Sequence, residues 1–67
     1  MQIVRRYRVK VHSVLVENGE PFGDTFTLDG LDTDRIPEAV AEGIDAVRSA
    51  GGRVHSVIVE PYAEFMP

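Results

Sequence analysis

Residues 10–17 read Lys-Val-His-Ser-Val-Leu-Val-Glu, and residues 53–60 read Arg-Val-His-Ser-Val-Ile-Val-Glu. Six of the eight positions are identical and the other two are conservative. Both segments are rich in β-branched residues, which fit a pleated surface better than a helix. Each therefore reads as a strand, and the match predicts the same environment for both. Two copies in 67 residues do not make a solenoid. In each copy one face carries Val11, Ser13 and Leu15, matched by Val54, Ser56 and Ile58. The opposite face carries His12, Val14 and Val16, matched by His55, Val57 and Val59. A sheet with one wet face should alternate cleanly between apolar and polar, and neither copy does. Both faces of the sheet are thus expected to be largely apolar.

Upstream, the first copy belongs to a longer strand over residues 2–17. Ile3, Tyr7, Val9 and Val11 share one parity, and Arg6, Arg8, Lys10 and His12 share the other. A strand this long and a pattern that changes at Val14 predict a bend or bulge near His12-Ser13. Asn18-Gly19 is the favoured pair for a turn with two positive φ angles, and Pro21 is expected to interrupt pairing. A second strand is predicted over 22–28. Asp34, with Thr33 as the alternative, is placed as the N-cap of a helix over 34–50. Ile36, Val40, Ile44 and Val47 form its apolar stripe. Glu38, Glu42, Asp45 and Arg48 face water, and Gly43 permits close approach to the sheet. Gly51 is the left-handed cap. The third strand runs over 53–60, Pro61 stops it, and residues 61–67 form an apolar tail.

The order strand–strand–helix–strand makes one α+β domain over residues 1–67, a mainly antiparallel three-stranded sheet with the helix on one face. The connections place the first strand in the centre with the other two antiparallel on either side. A domain of this size buries only about 60% of its unfolded surface. With no cysteine, disulfides and cysteine-held zinc are excluded as stabilisers. One helix covers one face, so the other is expected to meet a second subunit, the tail or a foreign protein. Val14, Val16, Val57, Val59, Tyr62 and Phe65 are the predicted contact residues, and a homodimer or higher homo-oligomer is the expected partner state.

The net charge of −4 argues against a general nucleic-acid binder. The exception is local: Arg5, Arg6, Arg8 and Lys10 form a basic cluster, which as a β-ribbon would contact phosphate or another anion. The alternative is a solvated strand face balanced by nearby acids. His12 and His55 hold equivalent places in the two copies and are weak candidates for a metal or small-ligand site. Glu17, Glu60 and Asp24 are its candidate third ligands. No H-x-x-x-H spacing is present. Asp24, Asp29, Asp32 and Asp34 do not match a calcium loop and read as capping and turn residues. No phosphate-cradling loop opens a helix, no cofactor motif is found, and no catalytic residue is assigned. The missing cysteines fit a reducing cytoplasm, no stretch approaches the ~20 apolar residues of a membrane span, and no signal peptide is read at Met1–Arg6.

Gly30-Leu31-Asp32-Thr33 leading into Pro37-Glu38-Ala39-Val40 resembles the strand-to-helix segment of HicB-type antitoxin domains. The strand count differs, and no residue role carries over. The sheet-plus-helix build is also similar to that of dodecins, with a different element order and no tryptophan to stack a flavin. The expected function is a small, non-enzymatic, intracellular binding or regulatory protein acting by protein–protein contact, such as an accessory subunit or a phage-encoded modulator. The alternatives are a nucleic-acid-associated regulator and a metal or small-ligand binder.

Overall fold

The computed structural model describes residues 1–67. Three strands and one helix follow in the order β1 (Gln2–Glu17), β2 (Glu20–Leu31), α1 (Ile36–Ser49) and β3 (Arg53–Met66), with a 3-10 turn at Thr33–Arg35 before the helix. The sheet order is β2-β1-β3, with both pairings antiparallel. This is the expected β-β-α-β topology with the first strand in the centre.

Asn18 (φ 53°) and Gly19 (φ 80°) close the β1–β2 hairpin with two left-handed residues, as a two-residue turn between twisted strands requires. The Val16↔Pro21 and Glu17↔Glu20 pairs follow immediately, so Pro21 does not interrupt pairing. β2 lies on the edge, where a missing N–H costs the sheet nothing. For the same reason Pro61 does not end β3. The expected tail is strand: Tyr62 to Met66 pair with Arg6 to Gln2. The helix starts later than its acidic residues suggest. Asp32 precedes the 3-10 turn, Arg35 occupies the helix N-cap, and neither side chain makes a capping hydrogen bond.

Val9 and Val11 are fully buried and form the core with Ala39 and Val47; Phe26, Leu28, Leu31, Ile36, Val40 and Val54 pack around them. The helix therefore covers the face carrying the odd-numbered residues of β1. Its buried line is Ala39, Gly43 and Val47, while Ile44 lies half-buried at the margin. A Cβ on Gly43 would lie 2.6 Å from Val11 Cγ2, so a glycine here sets the helix–sheet distance. Thirteen paired positions join β1 to β3, far more than a helix of 14 residues and ~21 Å can cover. Beyond the helix the sheet continues as a two-stranded arm, Gln2–Arg6 with Tyr62–Met66. The molecule is accordingly elongated, 51 × 18 × 15 Å, with a radius of gyration of 14.3 Å. A compact chain of this length would have ~11 Å.

The two copies of the repeated octapeptide do not share an environment. The β1–β3 register shifts between His12 and Ser13: His12 pairs with Ser56 and Ser13 with Val54, which leaves His55 as the extra residue. A bulge is found near His12-Ser13, but the inserted residue belongs to β3. Because side chains alternate along a strand, one extra residue reverses every later face. Val57 and Val59 pair with Val11 and Val9 on the helix side, and Ile58 pairs with Lys10 on the open side. Val14 and Val16 stay on the open side. The expected single face of Val14, Val16, Val57 and Val59 is thus corrected to two faces.

Candidate functional site

The open face is mainly an ion-paired surface. Arg6, Arg8 and Lys10 follow at two-residue intervals along β1, so all three project from this side. Arg6 donates to Asp32 and, at 3.2 Å, to Glu64; Arg8 donates to Asp29; Lys10 lies 3.2 Å from Glu60. Arg6 is held more firmly in its charged form by hydrogen bonding to Glu64 and then Asp32, and Arg8 by Asp29. Tyr62 completes the layer. Its ring lies under the Arg8 guanidinium, 4.8 Å from the centroid, and its hydroxyl accepts a 2.9 Å hydrogen bond from the Gly30 amide. Tyr62, predicted as a contact residue, is committed within the chain. Arg5 has the opposite parity and lies on the helix side opposite Ala63. The expected basic cluster is therefore three acid-paired residues on one face and one exposed arginine on the other.

Further along the open face lies a shallow hollow of about 440 Å³. Gly23 leaves its floor without a side chain, and His12, Val14, Thr25, His55 and Ser56 border it. The bulge swings His55 toward the same hollow as His12, so the two histidines do come to one place. His12 Nδ1 lies 3.0 Å from Thr25 Oγ1. No three His, Cys, Asp or Glu side chains gather as a metal-binding set. Glu60 is engaged by Lys10. Cross-strand pairing sets Ser56 opposite His12, a juxtaposition hidden from reasoning about adjacent residues in sequence. No hydrogen bond joins them.

The third surface is the β3 edge. β3 has a neighbour on one side only. Val57 (37% exposed) and Val59 (42%) lie on its helix side, and Ile58 (39%) lies on its open side. Val57-Ile58-Val59 is therefore apolar on both faces of an unpaired edge. The helix-side strip continues to the arm, where Ile3 pairs with Phe65 and both are about two-thirds exposed. Val57, Val59 and Phe65 from the predicted contact set are thus brought to the helix side of β3; Ile3 of β1 joins them there, and Ile58 lies on the open side of the same edge. The other edge differs: the β2 stretch Pro21 to Thr27 intersperses Phe22, 42% exposed, and Phe26 with Gly23, Asp24, Thr25 and Thr27, and so offers no run of three adjacent apolar side chains like Val57-Ile58-Val59.

No helix is long and apolar enough to cross a membrane. Comparison with family models, with curated proteins and with solved structures finds no match for this chain.

Proposed function

We propose that this chain is a small non-enzymatic binding or regulatory protein that acts by protein–protein contact, with the β3 edge and its helix-side strip as the contact surface. The observation that carries this reading is the exposed Val57-Ile58-Val59 run in an edge strand. Such an edge offers free backbone donors and acceptors for another strand, and apolar side chains on both sides for burial. An exposed apolar strip of this kind is characteristic of an interaction site. The accessible surface of 4869 Å² points the same way. A folded monomer of this mass exposes ~4,200 Å², so roughly 650 Å² is surplus. That surplus is comparable with the ~800 Å² each partner contributes to a standard interface.

The test is site-specific photo-crosslinking in cells. A photoreactive residue at Val57 or Val59 is expected to give discrete protein adducts. The same residue at Thr27 on the open face of β2, or at Glu38 on the outer face of α1, is expected to give none. Equal labelling at all four positions would remove the reading.

A further inference from the structure

Resting on that reading, we infer that the partner at the β3 edge is a second copy of this chain, paired antiparallel strand to strand about a two-fold axis at Ile58. Two features blunt the β3 edge, the bulge at His55 and the imino residue Pro61. Between them lie Ser56 to Glu60, five residues of regular strand centred on Ile58. An antiparallel self-pairing must place each residue opposite one of the same face, which restricts the axis to a residue position. An axis at Ile58 pairs the whole regular stretch with itself. Val57 meets Val59 of the second copy twice on the helix side. Ile58 meets its own equivalent on the open side, and Ser56 meets Glu60. An axis at Glu60 would oppose like charges, which destabilises a sheet. An axis at Val59 would set Val57 against Pro61 and Ile58 against Glu60. An axis at Val57 would set Val59 against the bulged His55 and Ile58 against Ser56, so only the axis at Ile58 pairs the whole regular stretch.

The product is a six-stranded sheet, β2-β1-β3-β3-β1-β2, with both helices on one face. The four valines lie on the helix side of the joined sheet, the face on which Ile36 and Val40 pack half-buried against each chain's core. This closes the longest apolar edge of the molecule in an isologous contact, the commonest way for soluble chains to associate. The surplus surface of one chain matches one side of such an interface. It also explains how a chain with only four buried apolar residues attains a sufficient core.

The natural absence of cysteine makes the register directly testable. Residues on the two-fold lie ~4.5–5.5 Å apart at Cα, within disulfide reach. The two copies of Ser56, two positions from the axis, lie roughly 13 Å apart, and those of Val59, one position from it, roughly 8 Å, both beyond that reach. Ile58→Cys is therefore expected to form a disulfide-linked dimer under mild oxidation, while Ser56→Cys and Val59→Cys remain reduced as single variants to at least tenfold lower yield. The unmodified chain is expected to show twice its monomer mass by light scattering across a dilution series, and Val57→Lys to show the monomer mass. Should Val57→Lys fail to fold, the cysteine variants still decide the register. A monomeric parent at every concentration overturns the inference, and adducts to a different protein at Val57 would then leave the contact surface standing. A dimer whose Ile58→Cys thiols stay reduced overturns the β3 pairing. A monomer with no adduct at Val57 removes both readings.

Discussion

The octapeptides at residues 10–17 and 53–60 are nearly the same string in two different places. In β1 the string runs without interruption down the middle of the sheet, with hydrogen-bonded neighbours on both sides. In β3 it lies on the edge and accommodates an extra residue at His55. A central strand that bulged would disturb two ladders, whereas an edge strand disturbs one. The same Val-His-Ser-Val is therefore straight in the first copy and broken in the second. Before the bulge equivalent residues share a face: Val11 and Val54 both point to the helix. After it they do not. Val14 is on the open side and Val57 on the helix side, and Leu15 is on the helix side and Ile58 on the open side. Position in the sheet, and not the string, assigns the environment.

Deleting His55 attacks this difference most directly. Without the extra residue Val54 and Ser56 would become neighbours opposite Ser13 and His12, so β3 would run straight while Val57, Ile58, Val59 and Glu60 kept their present faces. The deletion straightens the second copy without moving any side chain to the other face, and is expected to cost less than about 1 kcal/mol. Urea unfolding followed by circular dichroism at fixed protein concentration reads the loss. A deletion variant that fails to fold would show that His55 is not the unpaired residue of the β1–β3 ladder.

Truncation within a single copy sharpens the contrast. Val11→Ala leaves a void at a fully buried position under Gly43 and is expected to cost about 2 kcal/mol. Val14→Ala, three residues on and 38% exposed, should cost less than about 0.5 kcal/mol. Equal costs would contradict the assignment of the helix to the Val11 face.

Glycines probe the same two faces by addition. Gly43→Ala would force a methyl group against Val11 and is expected to destabilise by about 1–3 kcal/mol. Gly23→Ala, whose nearest neighbour would be 3.9 Å away, should be close to neutral and would partly fill the hollow beside His12. Thermal melts of the pair measure the difference. Tyr62→Phe tests the ion-paired layer of the open face. Removing the hydroxyl that accepts from Gly30 is expected to cost about 1 kcal/mol. Faster exchange of the Gly30 amide would identify that bond as the cause.

Much of the architecture is legible in the chain because local chemistry and global fold agree. Alternation from Tyr7 to His12 marks β1, Asn18-Gly19 marks the hairpin, the spacing of Ile36, Val40 and Val47 marks the helix, and Gly51 marks its end. The His55 bulge carries no such mark, since the identical tetrapeptide in β1 has none. The continuation of β3 through Pro61 was equally hidden. Proline reads as a stop unless the strand is known to be an edge. The proposed contact surface is only half legible for this reason: Val57, Val59 and Phe65 gather on the β3 side, whereas Val14 and Val16 lie elsewhere and Tyr62 is occupied by Arg8 and Gly30. The basic residues of β1 stand out in the string, but their acidic partners come from three separate segments and appear only once the sheet forms.

The central place of β1 also orders events in time. Its hairpin with β2 joins near neighbours and closes in ~1–10 μs. Its pairing with β3 joins residues as distant as Gln2 and Met66 and must wait for a long loop to close around the helix. Until then one side of the hairpin stays unsealed, with Val9 and Val11 lacking their lid. Folding is therefore expected to be limited by the docking of the last strand, in the slow range typical of non-local sheets. The vulnerable species on the way is a lone hairpin carrying one of the two valine-rich octapeptides.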